Sequence, residues 1–507
     1  MATAIPANQA RFTVQELAQI TGAAIDGVIA LDAECLSVCT DTRQLVPGAL
    51  FVALRGESMD GHSYLAKAKE LGAVCAVVAS DWPEEKQSII PCLRVRDTLV
   101  ALGDIAQAHQ RRVRLQRIRE GHAPMAVLAV GGAAGKTTTK ELAACAARAL
   151  YDSVLSTRGN LNNLIGVPMT LLLMRVDHRA AVIEVGTNCP GEIPRLGAIV
   201  EPTVSLVLNV DAEHTEGLRT LEAVADEEGA LFAHAQQVCV ANQDEPYSFS
   251  RASLRRDAVQ LRTFSSRTSA TIELQKRVLQ PDGTAVLSLL IARDLIEDGV
   301  AMRQDVPFSL LGEGPAIDAA AALTAVASMR TERLTQVELN RIFAGFATIK
   351  PVAGRLVPRE TAAGVLLLDD TYNANPRSVQ LSIETGADLA RLRGGRLHVI
   401  LADMLELGEL GPGLHAELAP FLLRANCRTI TTVGPLMALA ARAVVGAMLR
   451  GESECVVLEC ATPMDAARAV QASAQAGDVV LVKGSRGMRT ERAIAVFFEN
   501  LAPQGGT

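Results

Sequence analysis

The 507-residue chain is 49% apolar and 21% charged, with a formal net charge of −7. At about 100–200 residues per domain, that composition fits three soluble globular domains with buried cores. The absence of a basic surplus excludes a nucleic-acid partner as the expectation. No apolar run reaches the roughly 20 residues that cross a bilayer, so no membrane partner is expected. The first eleven residues lack the layout of a signal peptide. The ten cysteines are scattered, and in a chain this long they read as reduced core thiols. A cytoplasmic monomer is the resulting expectation.

Residues 1–122 alternate short apolar runs with polar segments. A helix is expected near 64–71 and a buried strand over 74–79. The basic run 111–122 then reads as a solvated connector. Residues 123–350 open with an apolar run at 125–130, a glycine-rich turn and a good helix former over 136–150. Further apolar runs end at polar residues: 180–183 before Glu184, 204–208 before Asn209, and 238–241 before Asn242. Apolar runs alternating with helical segments predict a parallel α/β sheet covered on both faces. In such sheets chemistry sits beyond the carboxyl ends of the strands, where each of these polar residues falls. Residues 351–507 repeat the pattern. The run 365–368 leads into Asp369 and Asp370, 397–402 into Asp403, and 479–482 into Lys483.

The segment Gly132-Ala133-Ala134-Gly135-Lys136-Thr137-Thr138 sits between the first central strand and its helix. Glycines let backbone N–H groups approach phosphate, the helix N-terminus adds partial positive charge, and Lys136 adds a full one. The Thr137 hydroxyl can reach Mg²⁺. The spacing is one glycine short of the common phosphate loop, since Val130 takes the first glycine's place.

Residues 132–140 resemble the shortened phosphate loop of the Mur ligase family. Other blocks carry the same resemblance in order. Asn160-Leu161-Asn162-Asn163, followed by Gly166-Val167-Pro168, is similar to the family's NxNNxxGVP. Glu184 in Val182-Ile183-Glu184-Val185-Gly186 is similar to its Mg²⁺-binding glutamate. His214, in the block from Asn209 to Gly217, is similar to the histidine that supports a second metal. Gly354-Arg355-Leu356 and Asp369-Asp370-Thr371-Tyr372-Asn373-Ala374-Asn375-Pro376 resemble the branch that adds D-alanyl-D-alanine. The blocks around Asp403 and His415, and at Lys483-Gly484-Ser485-Arg486, continue it. At the front, Thr42, Arg43 and Asp60-Gly61-His62 resemble the family's uridine-nucleotide domain.

The resemblance implies a three-domain α/β architecture. Residues 1–122 would form a small UDP-sugar-binding domain, 123–350 a parallel-sheet ATPase domain, and 351–507 a Rossmann-like ligase domain. It implies an ATP- and Mg²⁺-dependent amide ligase of cell-wall precursor synthesis, whose partners are UDP-muramoyl tripeptide, D-Ala-D-Ala and ATP. Lys136, Glu184, His214 and Asn373 are the implied catalytic residues. Gly132, Gly135, Thr137, Thr138, Arg355, Asp370 and Tyr372 would bind ATP alongside Lys136. Thr42, Arg43, Asn160, Asn162, Asn163 and Lys483 would bind substrate. Thr137, Glu184, His214 and Glu228 would serve the metals.

The pattern departs from the family in three places. Gly131, Ala133 and Ala134 replace polar loop residues. Glu228 stands at the position of a carbamylated lysine, so Glu228, or Glu227, is expected to replace its negative head. Gly312-Glu313-Gly314-Pro315 replaces GxHN, so adenine must be held differently. Two alternatives therefore stay open: a divergent ligase joining another amine and carboxylate, and a nucleotide-binding homologue with weakened catalysis.

Overall fold

The computed structural model describes residues 5–56, 59–83, 90–211, 215–280, 282–450 and 455–499. Three large sheets organise them, beside a two-stranded pairing of Phe12–Thr13 with Glu34–Cys35. The first has five strands, in the order Ala24–Asp26, Cys92–Val95, Cys75–Ala79, Ala49–Val52, Ser37–Cys39, parallel except at the Ala24–Asp26 edge. The helix expected near 64–71 is a short 3₁₀ turn, Gly61–Tyr64, running into the helix Leu65–Glu70.

The second sheet has nine strands. Its parallel half runs Gln260–Ser265, Val238–Asn242, Val204–Val207, Ala126–Gly131, Ala180–Glu184, Val154–Ser156. The chain leaves Ala126–Gly131 for the Val154–Ser156 edge, returns through Ala180–Glu184, then crosses to Val204–Val207 on the other side. Ala126–Gly131 is thus the switch point, and the crevice for a ligand opens at its carboxyl end. Side chains alternate strictly. Leu128 and Val130 pack with Val182, Leu206 and Val240 under the helices Lys136–Leu150 and Glu313–Ser328. Val127 and Ala129 join Ile183 and Ala241 in a second core that continues into the N-terminal domain. Such two-sided burial is why these strands read as continuous apolar runs.

Two expectations change. Residues 111–119 are not a connector but the second half of the helix Thr98–Arg119. Its basic residues reach the central domain: Arg111 Nε donates to Glu201 at 2.7 Å, and Arg117 donates to the Ala123 and Val176 carbonyls at 2.7 and 2.8 Å. Arg117 is 4% exposed, so the charge run serves a domain contact. The strands Ile272–Leu279, Ala285–Ile291 and Met302–Phe308 also extend the central sheet, the last two pairings being antiparallel; the sequence reading did not place them.

The third sheet has six strands, in the order Val357–Glu360, Leu366–Asp370, Val479–Lys483, Leu397–Ala402, Thr429–Val433, Val456–Cys460, all parallel after the first pair. The carboxyl ends of Leu366–Asp370 and Val479–Lys483 border the same cavity as the central sheet's carboxyl ends. Among the described residues, no helix is long and apolar enough to cross a membrane.

Candidate active site

The phosphate loop forms where the strand Ala126–Gly131 turns into the helix Lys136–Leu150. Gly132 has φ +118°, and a Cβ there would sit 2.9 Å from the Leu208 nitrogen. Only glycine adopts this conformation without strain. Asn209 clips the loop from the neighbouring strand end: its Oδ1 accepts from the Ala134 N–H at 2.8 Å and its Nδ2 donates to the Ala134 carbonyl at 2.9 Å. The backbone therefore holds its curvature although Ala133 and Ala134 carry no polar side chains. Gly132→Ala is expected to cost about 1–3 kcal/mol through strain, read as a lowered urea midpoint.

Lys136 folds back over the loop, donating to the Gly132 carbonyl and, at 3.0 Å, to the Ala133 carbonyl. Beside it the Thr137 hydroxyl donates to Glu184 Oε1 at 3.0 Å, and Asn162 Nδ2 donates to the same oxygen at 2.9 Å. Glu184 is 1% exposed, and its other oxygen, Oε2, has no hydrogen-bond partner. A buried carboxylate oxygen without a donor is costly. Its position beside the Thr137 hydroxyl fits a hard, oxygen-seeking cation.

The C-terminal domain faces this cluster. Arg355 Nη2 donates to the Thr137 hydroxyl at 3.0 Å, and its guanidinium lies 4.5 Å from the centre of the Tyr372 ring. Arg486 approaches that ring at 5.8 Å. Lys483 Nζ donates to Asp370 Oδ2 at 2.6 Å and to the Asn373 carbonyl at 3.0 Å. Asp370 also accepts from the Ser382 hydroxyl and the Leu356 N–H. Lys483 is 3% exposed and Asp370 7%, so Lys483→Met strands a buried carboxylate. A loss of about 3–5 kcal/mol in chemical denaturation is expected, most of it returning in the Lys483→Met, Asp370→Asn double variant.

Between the two domains lies a cavity of about 460 Å³. Gly135, Lys136, Thr137, Thr138, Asn160, Asn162, Asn163, Glu184, Arg355, Asp370, Tyr372, Asn373 and Lys483 all line it. Gly132 stands at the start of the loop. Asn163 Oδ1 also accepts the Ile165 and Gly166 N–H groups, at 3.2 and 2.9 Å, where the helix Gly166–Leu171 begins.

Other expected residues lie elsewhere. Thr42 and Arg43 sit on a 3₁₀ turn of the N-terminal domain, away from the cavity lining, with Arg43 paired to Asp41 at 2.6 Å. Glu228 does not line the cavity; its Oε2 accepts the Gly132 N–H at 2.8 Å from behind the loop. Glu227 accepts the Gly191 and Ile193 N–H groups, both at 2.8 Å. His214 lies outside the described residues. No cluster of three or more His, Cys, Asp or Glu suited to a metal occurs among the described residues.

Further residues, most of them not singled out by the sequence, also line the cavity. Phe264, Leu310, Leu311, Pro315, Ile317, Ile349, Pro351 and Val352 give the lining an apolar part, with Asn242, Lys350 and Arg377 also on the cavity wall. Asp318 reaches the same wall. Its sequence signal was available: it is the sole charge among the alanine-rich residues 316–328.

Three family models match the chain: Mur ligase family, catalytic domain, over residues 36–110; Mur ligase middle domain, over 130–326; and Mur ligase, glutamate ligase domain, over 354–486. The UDP-N-acetylmuramoyl-tripeptide--D-alanyl-D-alanine ligase of Haemophilus influenzae is 32% identical over 493 residues, covering 96% of this chain and 98% of the relative. The Escherichia coli enzyme of the same name is 31% identical over 507 residues, with the same coverage. Among solved structures, MurF from Acinetobacter baumannii superposes with a TM-score of 0.80 at 27% identity, covering 96% of this chain and 99% of the other. MurF ligase from Thermotoga maritima, solved in complex with ADP, gives 0.74 at 24% identity, covering 92% and 97%. With the phosphate loop, the strand-end carboxylate and the facing ligase domain all in place, the chain belongs to the Mur ligase family of ATP-dependent ligases.

Proposed function

We propose that this chain joins D-alanyl-D-alanine to UDP-N-acetylmuramoyl tripeptide at the expense of ATP. The observation that carries the reading is the pairing across one cavity of the Lys136–Thr137–Glu184 cluster with the Asp370–Tyr372–Asn373 segment. The peptide's terminal carboxylate attacks the γ-phosphorus, ADP leaves, and an acyl phosphate forms. The D-alanyl-D-alanine amine then attacks the acyl carbon, inorganic phosphate leaves, and the amine gives up a proton.

Both steps crowd anions together, so alignment and charge neutralisation supply most of the acceleration. Lys136 offers its charge to the transferring phosphoryl group. Arg355, stacked on Tyr372, brings a second cation from the facing domain. The Thr137 hydroxyl and the unpartnered Glu184 Oε2 would hold Mg²⁺, which supplies neutralisation of the triphosphate. His214 remains the proposed partner of a second Mg²⁺. Glu228 bears on the phosphates through the Gly132 N–H that it holds. Asn160 and Asn162 are placed to receive the peptide end of the acceptor, and Asn163 to order their loop. Thr42 and Arg43 would meet its nucleotide end in the N-terminal domain, as an elongated substrate requires. The divisions near 122 and 350 follow from that assignment, each of the three units keeping its own sheet.

The apolar lining residues answer the loss of the GxHN side chains, because a flat base can be held by burial against them. The test is phosphate release with each component omitted in turn. Release that needs ATP, the UDP-muramoyl tripeptide and D-alanyl-D-alanine together is expected. Release indifferent to D-alanyl-D-alanine, or restored only by a different amine, would overturn the assignment of substrates.

A further inference from the structure

One buried acid has no part in the chemistry above. Asp318 lies in the helix Glu313–Ser328 and is 6% exposed. Its carboxyl presses on the phosphate loop: a Cβ built on Gly135 would lie 2.6 Å from Oδ1 and 3.0 Å from Oδ2. The loop that cradles a triphosphate therefore has a carboxyl in contact with its last glycine. Beside it stands Thr139, fully buried, whose hydroxyl favours the ionised form of the carboxyl.

The charges around Asp318 do little to stabilise an anion there. On the packed helix Lys136–Leu150, Lys136 is turned to the Gly132 and Ala133 carbonyls, and Lys140 to Glu141 and the Thr157 carbonyl. From the C-terminal domain only Arg355 and Arg377 pull towards ionisation. Glu313 on its own helix and Glu384 on Pro376–Leu392 are further acids, and Lys350 stands on the cavity wall. The strands beneath the helix offer Leu206, Val240, Phe264, Ile272 and Leu274, all apolar. Burial wins over Thr139 and the two arginines, and pushes the Asp318 carboxyl up to about 8.

We propose that Asp318 enters the nucleotide complex as a neutral acid, so that triphosphate binding takes up a proton on this side chain. The inference rests on the nucleotide reading of the cavity and adds a proton to its binding step. The sign follows from linkage. An anion brought against the loop disfavours the carboxylate and favours the acid. Burial already favours the acid in the free protein, so uptake is small at neutral pH and grows as the solution becomes more alkaline. Affinity must then fall as pH rises through 8, by at most about tenfold per unit. As a positioning residue, Asp318 would keep the cradle neutral beneath the phosphates.

The test is calorimetric titration of the full-length protein with Mg²⁺ and a non-hydrolysable imido analogue of ATP, at pH 7, 8 and 9. Each pH is run in two buffers of different ionisation enthalpy. The wild type is expected to show buffer-dependent heats that grow from pH 7 to 9, with a several-fold loss of affinity over that range. Asp318→Asn, which keeps the shape and cannot ionise, is expected to bind without proton uptake and with affinity constant across the range. Wild-type heats identical in both buffers at pH 8 and 9 would overturn the inference, as would full uptake retained in Asp318→Asn. If circular dichroism shows the variant unfolded, the wild-type buffer pairs decide alone. Failure of the wild type to bind the analogue at any pH would instead overturn the nucleotide reading itself.

Discussion

Lys136→Ala is expected to lower kcat for ATP-driven phosphate release by about 10³-fold, on the scale of removing a fixed charge or donor at a transition state. The side chain opens the helix that follows the phosphate loop, where the backbone already favours anions. Its ammonium is kept over the loop by the Gly132 and Ala133 carbonyls, so little reorganisation separates the resting position from a bound phosphate. Those carbonyl contacts are local, and the global melting temperature should shift little. Binding of the ATP analogue should weaken far less than turnover slows, because the loop N–H groups and the helix end remain. A variant with kcat within tenfold of the wild type would remove Lys136 from the chemistry.

The strand ends of this site were legible because a parallel strand buried on both faces leaves an unmistakable mark: an apolar run that stops at a polar residue. Glu184, Asn209 and Asp370 stand at or just beyond such stops. The phosphate loop was legible for a related reason, since its glycines and Lys136 are contiguous. Contacts between distant segments were not. Arg117 reads as one more surface charge until the Val176 carbonyl is brought to it. The strand Ile272–Leu279 carries Glu273, Gln275, Lys276 and Arg277, and its pattern does not separate a sheet extension from a loop. Asn163 is placed with the substrate by the resemblance of its block, and its side-chain oxygen also accepts the Gly166 N–H, a contact the sequence alone does not show. Asp318 shows the same divide. Its isolation in an alanine-rich helix is visible in the sequence, but its contact with Gly135 exists only once two helices pack together. The apolar part of the lining combines side chains from around 264, 310–317 and 349–352, distant segments that only the fold brings to one cavity.

Glu184→Gln separates the metal role of this carboxylate from its structural one. In the wild type Oε1 is supplied by Thr137 and Asn162, while Oε2 is buried without a donor. Glutamine keeps an oxygen for the first pair of bonds and removes the charge at the second position. A carboxylate retained only for the fold would be replaced at small cost or even with gain, because an isolated buried charge is unfavourable. The metal-free variant is therefore expected to melt no lower than the wild type. A carboxylate that binds Mg²⁺ should instead leave its mark in the cation titration. The Mg²⁺ concentration giving half-maximal phosphate release is expected to rise by about tenfold or more, with kcat at saturating Mg²⁺ down about 10²-fold. The two readouts move in opposite directions only if the unpaired oxygen is a ligand. An unchanged Mg²⁺ midpoint would show that Glu184 serves the loop alone and that the cation is held by the phosphates and other groups.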